Sequence, residues 1–322
     1  MDKSVSYTGE VPADFNLLVS GLTPGTLYYY RTYVKANGTG TLESRVKTFT
    51  GETKRFNFGT KIPATLEAPA TKTGYTYKGF GSGTTRNYNY CFDTDYYASL
   101  WVAYPLTEAH TQGTASTSNW KYDTNIDNDY QPAITGSKTY GSSYGMTGYS
   151  RGHQCPNADR QSDETMNSQT YYATNQTPQL QIGFNGGIWN SLESAVRGLT
   201  TGRSDTLYVA TGPCYQTVGG KETVKWYNAT TTTIKPEQVP LPNYYWKAIL
   251  KVKTVDGYIT DACAVGFWFK HEAYSGSKYS DYIVSIDEIE SKTGFDLYSG
   301  LPDYLESLIE SETPTWTEFQ NF

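Results

Sequence analysis

The stretch Phe184-Asn-Gly-Gly-Ile-Trp-Asn-Ser-Leu-Glu-Ser-Ala-Val-Arg197 holds most of a predicted helix, which runs from Asn185 to about Leu199. Four apolar residues recur in it at helical spacing, namely Ile188, Leu192, Ala195 and Val196. Asn185, Glu193 and Arg197 fall together on one side. The oxygen of an Asn side chain suits a hard cation such as Mg²⁺. In a straight helix the Glu193 backbone lies ~12 Å beyond Asn185, so Glu193 would hold metal-bound water and not the ion itself.

One of the three histidines lies in a distinctive loop, Tyr149-Ser-Arg-Gly-His-Gln-Cys-Pro156. A His that follows Arg and Gly, in a turn before Pro, suits a base with close backbone access to a phosphate. For His153 taken alone, an ordinary loop histidine is the alternative. His110 and His271 lack this setting and are predicted to be structural or at the surface. A third segment, Asn175-Gln-Thr-Pro-Gln179, separates the loop from the predicted helix.

Together these segments resemble the DNA/RNA non-specific endonuclease family of the ββα-metal (His-Me finger) superfamily. That family has a D-R-G-H motif, an N-x-x-P-Q segment and a helix with N-x-G-x-W-x-x-L-E. Here they stand as Ser150–His153, Asn175–Gln179 and Asn185–Glu193. Further matches follow in order at Tyr208–Pro213, Pro242–Leu250 and Ser285–Phe295. The resemblance covers about residues 86–312 and implies an α+β fold with a central antiparallel sheet.

The resemblance also implies a reaction and the residues that perform it. His153 would deprotonate the attacking water, Asn185 would ligate one Mg²⁺, with Mn²⁺ as a substitute, and Glu193 would hold the hydration shell of the ion. Arg151 and Arg197 would contact the phosphate. The substrates would be DNA and RNA, held through the phosphate backbone and therefore cut without sequence preference. For Arg197, an ordinary surface ion pair with Glu193 is the alternative.

Asn175 would help to arrange the site, and two positions depart from the family pattern. The Asp before Arg-Gly-His is Ser150, and the Arg before the Asn-Trp-Lys segment is Ser118. Either one phosphate contact is missing or Lys121 supplies it. A nuclease-fold protein that binds nucleic acid or a surface partner without cutting is the alternative function.

The first 50 residues predict short β-strands at 15–19, 27–34 and 44–50, with turns between them. The run from Gly21 to Arg31 is similar to the late strands of a fibronectin type III domain, and Tyr28 would supply its tyrosine corner. An unrelated β-meander is the alternative. Because only about half of such a sandwich is present, we expect this partial all-β segment to be the remnant of a longer N-terminus.

Three regions follow from these patterns: residues 1–50 as the partial fibronectin-like segment, 51–85 as a linker, and 86–322 as the endonuclease domain. In the last region long apolar strands alternate with a few helices, which is typical of an α+β domain. The predicted strands include 100–104, 206–212, 243–252 and 259–269, and the predicted C-terminal helices are 285–294 and 302–310.

The charge of the 322-residue chain is unevenly placed. Its net charge is −6, but residues 281–322 alone carry −9, which leaves +3 on residues 1–280. The acidic total therefore does not exclude a polyanionic substrate. We expect the two acidic C-terminal helices to pack away from His153, on the opposite sheet face or at the rim. Four apolar side chains would point inward from them: Ile286, Ile289, Leu305 and Ile309.

Composition also restricts the compartment and the covalent chemistry. No apolar run approaches the ~18 residues of a membrane span. The four cysteines form no Cys-x-x-Cys pair, so they are either small buried hydrophobic residues or members of one or two disulfides. We expect a secreted, cell-surface or periplasmic protein of bacterial type that lacks its native N-terminus. The oligomeric state stays open.

Overall fold

The computed structural model describes residues 27–30, 33–35, 41–43, 47–50, 61–134, 140–203, 205–215, 223–255, 258–301 and 303–322. The chain divides into two compact units, Met1–Asn57 and Phe58–Phe322.

The first unit contains four short strands: β1 (Leu27–Tyr30), β2 (Tyr33–Lys35), β3 (Thr41–Glu43) and β4 (Lys47–Thr50). β1 pairs with β4 and β2 with β3, both antiparallel. The predicted strand at 15–19 lies outside the described residues. The resemblance of this segment to a fibronectin type III domain is not supported.

The second unit is built on a seven-stranded sheet whose neighbours are all antiparallel, which confirms the predicted α+β class with its central antiparallel sheet. The strand order is β15-β14-β13-β10-β7-β6-β5. The strands are β5 (Thr76–Ser82), β6 (Thr85–Asp93), β7 (Ala98–Leu106), β10 (Leu207–Cys214), β13 (Tyr244–Val255), β14 (Tyr258–Lys270) and β15 (Ile283–Val284).

The second unit also contains shorter strand pairs and helices. Two antiparallel pairs are formed by β8 (Tyr149–His153) with β9 (Gln176–Leu180), and by β11 (Lys225–Asn228) with β12 (Gln238–Leu241). The helices are α1 (Glu108–Thr111), α2 (Gly141–Tyr144), α3 (Glu164–Gln169), α4 (Asn190–Gly198), α5 (Ile286–Thr293), α6 (Asp303–Ser311) and α7 (Trp316–Asn321).

Both faces of the sheet are buried, and strand β13 shows why. Successive side chains of a strand point to opposite faces. Trp246 and Ala248 lie in one hydrophobic cluster and Tyr245 and Ile249 in the other. The cluster with Trp246 is covered by α5 and α6, whose Ile286, Ile289, Leu305 and Ile309 are all buried in it. The cluster with Tyr245 is covered by α4. The acidic helices α5 and α6 thus pack on the face opposite α4.

The described part of the predicted linker at 51–85 contains buried and paired residues. Leu66 and Glu67 are fully buried, and the Glu67 carboxylate pairs with the Arg86 guanidinium at 2.6 Å. Strand β5 closes one edge of the sheet. Within the glycine-rich stretch 79–83, Gly81 is required by close backbone contact. A Cβ at Gly81 would lie 2.5 Å from the Thr85 carbonyl oxygen.

The remaining sequence-level restrictions concern cysteines and membranes. Within the described part of the chain the four cysteines form no disulfide, and Cys91, Cys155 and Cys214 are buried. Among the same residues, no helix has both the length and the apolar character to cross a bilayer.

Candidate active site

The segments singled out by sequence form one ββα element. Strand β8 carries Arg151 and His153 and pairs with β9, with His153 opposite Gln176. The chain then winds through wide helical turns at Gln181–Trp189 before α4 begins at Asn190. The prediction of one continuous helix from Asn185 is therefore wrong, because the regular helix begins at Asn190. Gly183 has φ +82°, and Gly187 also leaves helical geometry, so the ~12 Å separation of Asn185 and Glu193 expected of a straight helix does not apply.

The His153 ring packs against two aromatic rings. Its centroid is 4.9 Å from that of Trp120 and 4.8 Å from that of Tyr171. Its Nε2 is buried and has no hydrogen-bond partner within the described structure. Burial disfavours the charged imidazolium and lowers the pKa of His153 to about 4. The ring is therefore neutral at pH 7, which is the state that a proton acceptor requires.

Asn175 holds the segment that follows His153 through hydrogen bonds. Its side-chain oxygen accepts from the Cys155 amide at 2.9 Å, and its Nδ2 donates to the carbonyls of Cys155 and Thr170 at 2.9 and 2.8 Å. Its own carbonyl accepts from the Gln154 amide. The amide is fully buried, with both ends engaged by protein. This residue is thus placed to fix the exit of β8 and not to bind a ligand.

Asn185 lies at the surface in the wide turns that precede α4. Its Nδ2 donates to Gln181 Oε1 at 3.0 Å, and the Ser150 hydroxyl donates to the same Gln181 oxygen. Because this bond uses the donor end of the Asn185 amide, the carboxamide oxygen remains the end suited to a cation. Ser150, which departs from the family motif, therefore contributes to the position of Asn185 through Gln181.

Glu193 lies in α4 beside a buried lysine. Burial raises the pKa of Glu193 to about 7, and the positive charge of Lys247 opposes this shift. Lys247 is 1% exposed, and its Nζ has no hydrogen-bond partner in the part of the chain that the structure describes. The ammonium lies 4.9 Å from the centroid of the Trp189 ring, one helical turn before Glu193. Burial also lowers the pKa of Lys247, whereas the charge of Glu193 raises it.

The two arginines have different environments. Arg197 Nε donates to Asp159 Oδ1 at 2.7 Å, and Asp159 is buried. Its ion-pair partner is therefore Asp159 and not Glu193, the alternative partner considered from sequence. Because Asp159 follows β8 and Arg197 lies in α4, the pair joins the two halves of the element. Arg151 is buried, with its guanidinium carbon 5.7 Å from the centroid of the Trp120 ring, and this burial lowers its pKa.

The donor set fits a hard divalent cation that keeps most of its water. Asn185 offers a neutral oxygen, and Glu193 offers a carboxylate whose burial calls for a positive partner. The groups of three His, Cys, Asp or Glu side chains that could jointly hold an ion lie, within the described residues, on the C-terminal helices and not here. A site with few protein ligands is typical of Mg²⁺.

Several residues of this site have no role in the sequence-based prediction. These are Trp120, Asp159, Tyr171, Gln181 and Lys247. Lys247 left one signal, a charged residue inside the otherwise apolar run Tyr244–Leu250 at the start of β13. Lys121, considered as a replacement phosphate contact, has its Nζ bound to Ser168 Oγ at 2.7 Å and lies 4.5 Å from the centroid of the Tyr172 ring.

Such a site on a ββα element defines a class, the hydrolytic nucleases. A family model, described as DNA/RNA non-specific endonuclease, matches residues 68–304. The chain belongs to this family.

Curated relatives agree with this assignment. The chain is 31% identical over 223 residues to the Nuclease of Serratia marcescens, a match that covers 66% of this chain and 73% of that protein. It is 30% identical over 161 residues to the Mitochondrial nuclease of Saccharomyces cerevisiae. That match spans about half of each protein, 49% in both cases.

A solved structure shows the same fold. The chain matches one in the crystal structure of the EndoG/EndoGI complex with a TM-score of 0.59 and 22% identity, covering 76% of this chain and 96% of that one.

The expected secreted, cell-surface or periplasmic location is wrong. Besides the Saccharomyces protein, relatives named as mitochondrial come from Schizosaccharomyces pombe, Danio rerio and Homo sapiens. These relatives point to mitochondria instead of export.

Proposed function

We propose that this protein is a Mg²⁺-dependent endonuclease that hydrolyses phosphodiester bonds of DNA and RNA without sequence preference, with His153 as general base. The observation that carries the proposal is the neutral His153 ring, whose unpartnered Nε2 lies on the same ββα element as the oxygen ligands Asn185 and Glu193. Mn²⁺ is expected to substitute for Mg²⁺.

In this proposal His153 Nε2 takes a proton from the attacking water. The water oxygen forms a bond to phosphorus, the bond from phosphorus to the 3′ oxygen breaks, and a solvent proton neutralises that oxygen. A positioned base contributes ~10²–10⁴-fold to such a rate. Asn175 holds the backbone that carries His153. Arg151 and Arg197 lie on this element and would contact the phosphate charge.

Asn185 would hold Mg²⁺ directly, and Glu193 would hold its water ligands. When bound, the ion supplies positive charge that stabilises the developing charge on the phosphate oxygens. The carboxylate of Glu193 must be ionised for this contact, and Lys247 favours that state. We also infer a mitochondrial location from the named relatives.

Digestion of supercoiled plasmid and of a folded RNA, with Mg²⁺ and with excess EDTA, tests the proposal. We expect both substrates to be degraded to mixed short products with Mg²⁺ and to stay intact with EDTA. The alternative, a nuclease-fold protein that only binds, predicts that both substrates are retarded in a gel but remain uncut with Mg²⁺.

A further inference from the structure

Five carboxylates from three segments of the chain meet where α5 and α6 pack together. Two lie on α5, two lie on α6 and one lies between the helices; they are Asp287 and Glu290, Glu306 and Glu310, and Asp296. These five residues are called the acidic cluster. Residues three or four positions apart share one face of a helix, so each helix presents its two carboxylates on the same side. The packing of the two helices therefore brings like charges together.

The carboxylate oxygens of the acidic cluster are close enough to share an ion. One oxygen from each of Asp287, Glu290 and Glu310 lies within 4.8 Å of the other two, and the same holds for Asp296, Glu306 and Glu310. Glu310 belongs to both groups. Two oxygens that bind one Ca²⁺ at about 2.4 Å are at most about 4.8 Å apart. The three oxygens of either group can therefore reach one ion with little movement.

The burial of Glu310 calls for a positive partner. Glu310 is 9% exposed, and its Oε1 is buried with no hydrogen-bond partner in the described part of the chain. Burial raises the pKa of Glu310 to about 8, and the charges with the largest effect on it raise the pKa further, because they are the other four carboxylates of the acidic cluster. Buried carboxylates are usually paired with a cation or bound to a metal ion, since burial of an unpaired charge is costly.

The backbone around the acidic cluster is fixed by local hydrogen bonds and remains open to solvent on one side. Glu290 Oε1 accepts from the Leu297 amide at 2.6 Å, which holds this carboxylate in place. Gly294, with φ +70°, ends α5 and turns the chain toward Asp296. Asp287 and Asp296 are exposed, whereas Glu310 is buried. An ion can therefore enter from solvent past the two aspartates and reach Glu310.

We propose that the acidic cluster binds Ca²⁺ in preference to Mg²⁺, as a structural ion that joins α5 to α6. The cluster offers only carboxylate oxygens, the ligands of hard cations. Ca²⁺ takes six to eight oxygens in flexible geometry, whereas Mg²⁺ keeps several waters and binds one or two carboxylates. Because α5 and α6 pack on the sheet face opposite α4, this ion is separate from the one proposed at Asn185. The inference does not depend on the proposed nuclease function.

Thermal unfolding at pH 8, with ~1 mM CaCl₂ or with EDTA, tests the inference. For a site with a Kd of ~10⁻⁵ M this concentration is about 100-fold above Kd, and Ca²⁺ should raise Tm by about 5–11 °C. Glu310→Gln removes the ligand that both groups share, so it should lose most of this rise. The part of the rise that the variant loses should be less than half as large with Mg²⁺. Glu288→Gln is the matched control, because Glu288 lies on α5 but outside the acidic cluster, and it should keep the rise.

A rise in Tm with Ca²⁺ that Glu310→Gln keeps in full would overturn the inference, because the ion would then bind elsewhere. The absence of any rise in the unchanged protein would overturn it too, and an equal loss with Mg²⁺ would overturn the preference for Ca²⁺. If Glu310→Gln fails to fold, the double variant Asp287→Asn and Asp296→Asn carries the test, since both side chains are exposed and each belongs to one group. An undiminished rise in the double variant also overturns the inference.

Discussion

Replacement of Asn175 by alanine tests whether this residue positions the backbone at His153 or binds the metal ion. The Asn175 side chain makes three hydrogen bonds, all to backbone groups of Cys155 and Thr170. The residue is fully buried, so water cannot replace these bonds. Alanine removes all three at once and leaves a cavity at the end of β8.

The cost can be estimated from these contacts. A buried polar group without its partner costs ~1–3 kcal/mol, and three such groups together give about 4 kcal/mol. For a unit of this size each kcal/mol lowers Tm by about 2–4 °C, so Tm should fall by about 8–16 °C. A misplaced His153 should also lower the rate per folded molecule by about 10- to 100-fold. The Mg²⁺ concentration for half-maximal activity should stay within about twofold.

Asn167 provides the matched control. It is equally buried, and its side chain also makes three hydrogen bonds, to Thr117 and Asn157. Asn167→Ala should lower Tm by a similar amount with a smaller loss of rate per folded molecule. Thermal unfolding by circular dichroism and a Mg²⁺ titration of plasmid cleavage give both quantities. If Asn175→Ala keeps its Tm but needs at least tenfold more Mg²⁺, the positioning argument is refuted and Asn175 belongs among the metal ligands.

Three further predictions concern buried charges. Because burial holds the pKa of Glu193 at about 7, activity at low Mg²⁺ should rise with pH through about 7. Higher Mg²⁺ should move this acidic limb of the pH–activity profile to lower pH. An acidic limb that stays at the same pH at every Mg²⁺ concentration would contradict the role of Glu193 at the metal site. Lys247→Met removes a charge that lowers the pKa of Glu193, so the acidic limb of the pH–activity profile should move to higher pH. Lys251→Met is the control: Lys251 lies on the same strand but donates to carbonyls of α7, so its loss should leave the acidic limb in place. Burial raises the pKa of Glu310 to about 8, above its value in the unfolded chain. The folded state therefore binds the proton of Glu310 more tightly than the unfolded state does. The stability that results is complete below about pH 4.5 and is lost as pH rises through about 8. In EDTA, Tm should therefore be higher at pH 5 than at pH 8, with a smaller difference in Glu310→Gln, and an equal difference in both proteins would refute this prediction.

The sequence predicts this fold well where local patterns and motif order agree. The long strands β13 and β14 and the capped helix α5 follow from apolar runs and from Ser285, whose hydroxyl accepts from the Glu288 amide. The wide turns before α4 escaped prediction because Ile188, Leu192 and Val196 keep helical spacing across a backbone that is not a regular helix.

Contacts between distant parts of the chain could not be predicted. The pairing of Asp159 with Arg197 joins residues 38 apart, and the approach of Lys247 to Trp189 depends on how α4 packs on the sheet. The motifs indicated that His153, Asn185 and Glu193 belong to one element. They did not indicate the rings of Trp120 and Tyr171, against which the imidazole packs.

The cleavage rate of His153→Ala tests the central claim most directly. The folded variant, verified by circular dichroism, should cut plasmid at least ~100-fold more slowly than the unchanged protein at saturating Mg²⁺. Added imidazole should restore part of the rate, since the substitution opens a ring-sized space beside Trp120 and Tyr171. Cleavage at nearly the unchanged rate by the folded variant would contradict the claim that His153 is the general base.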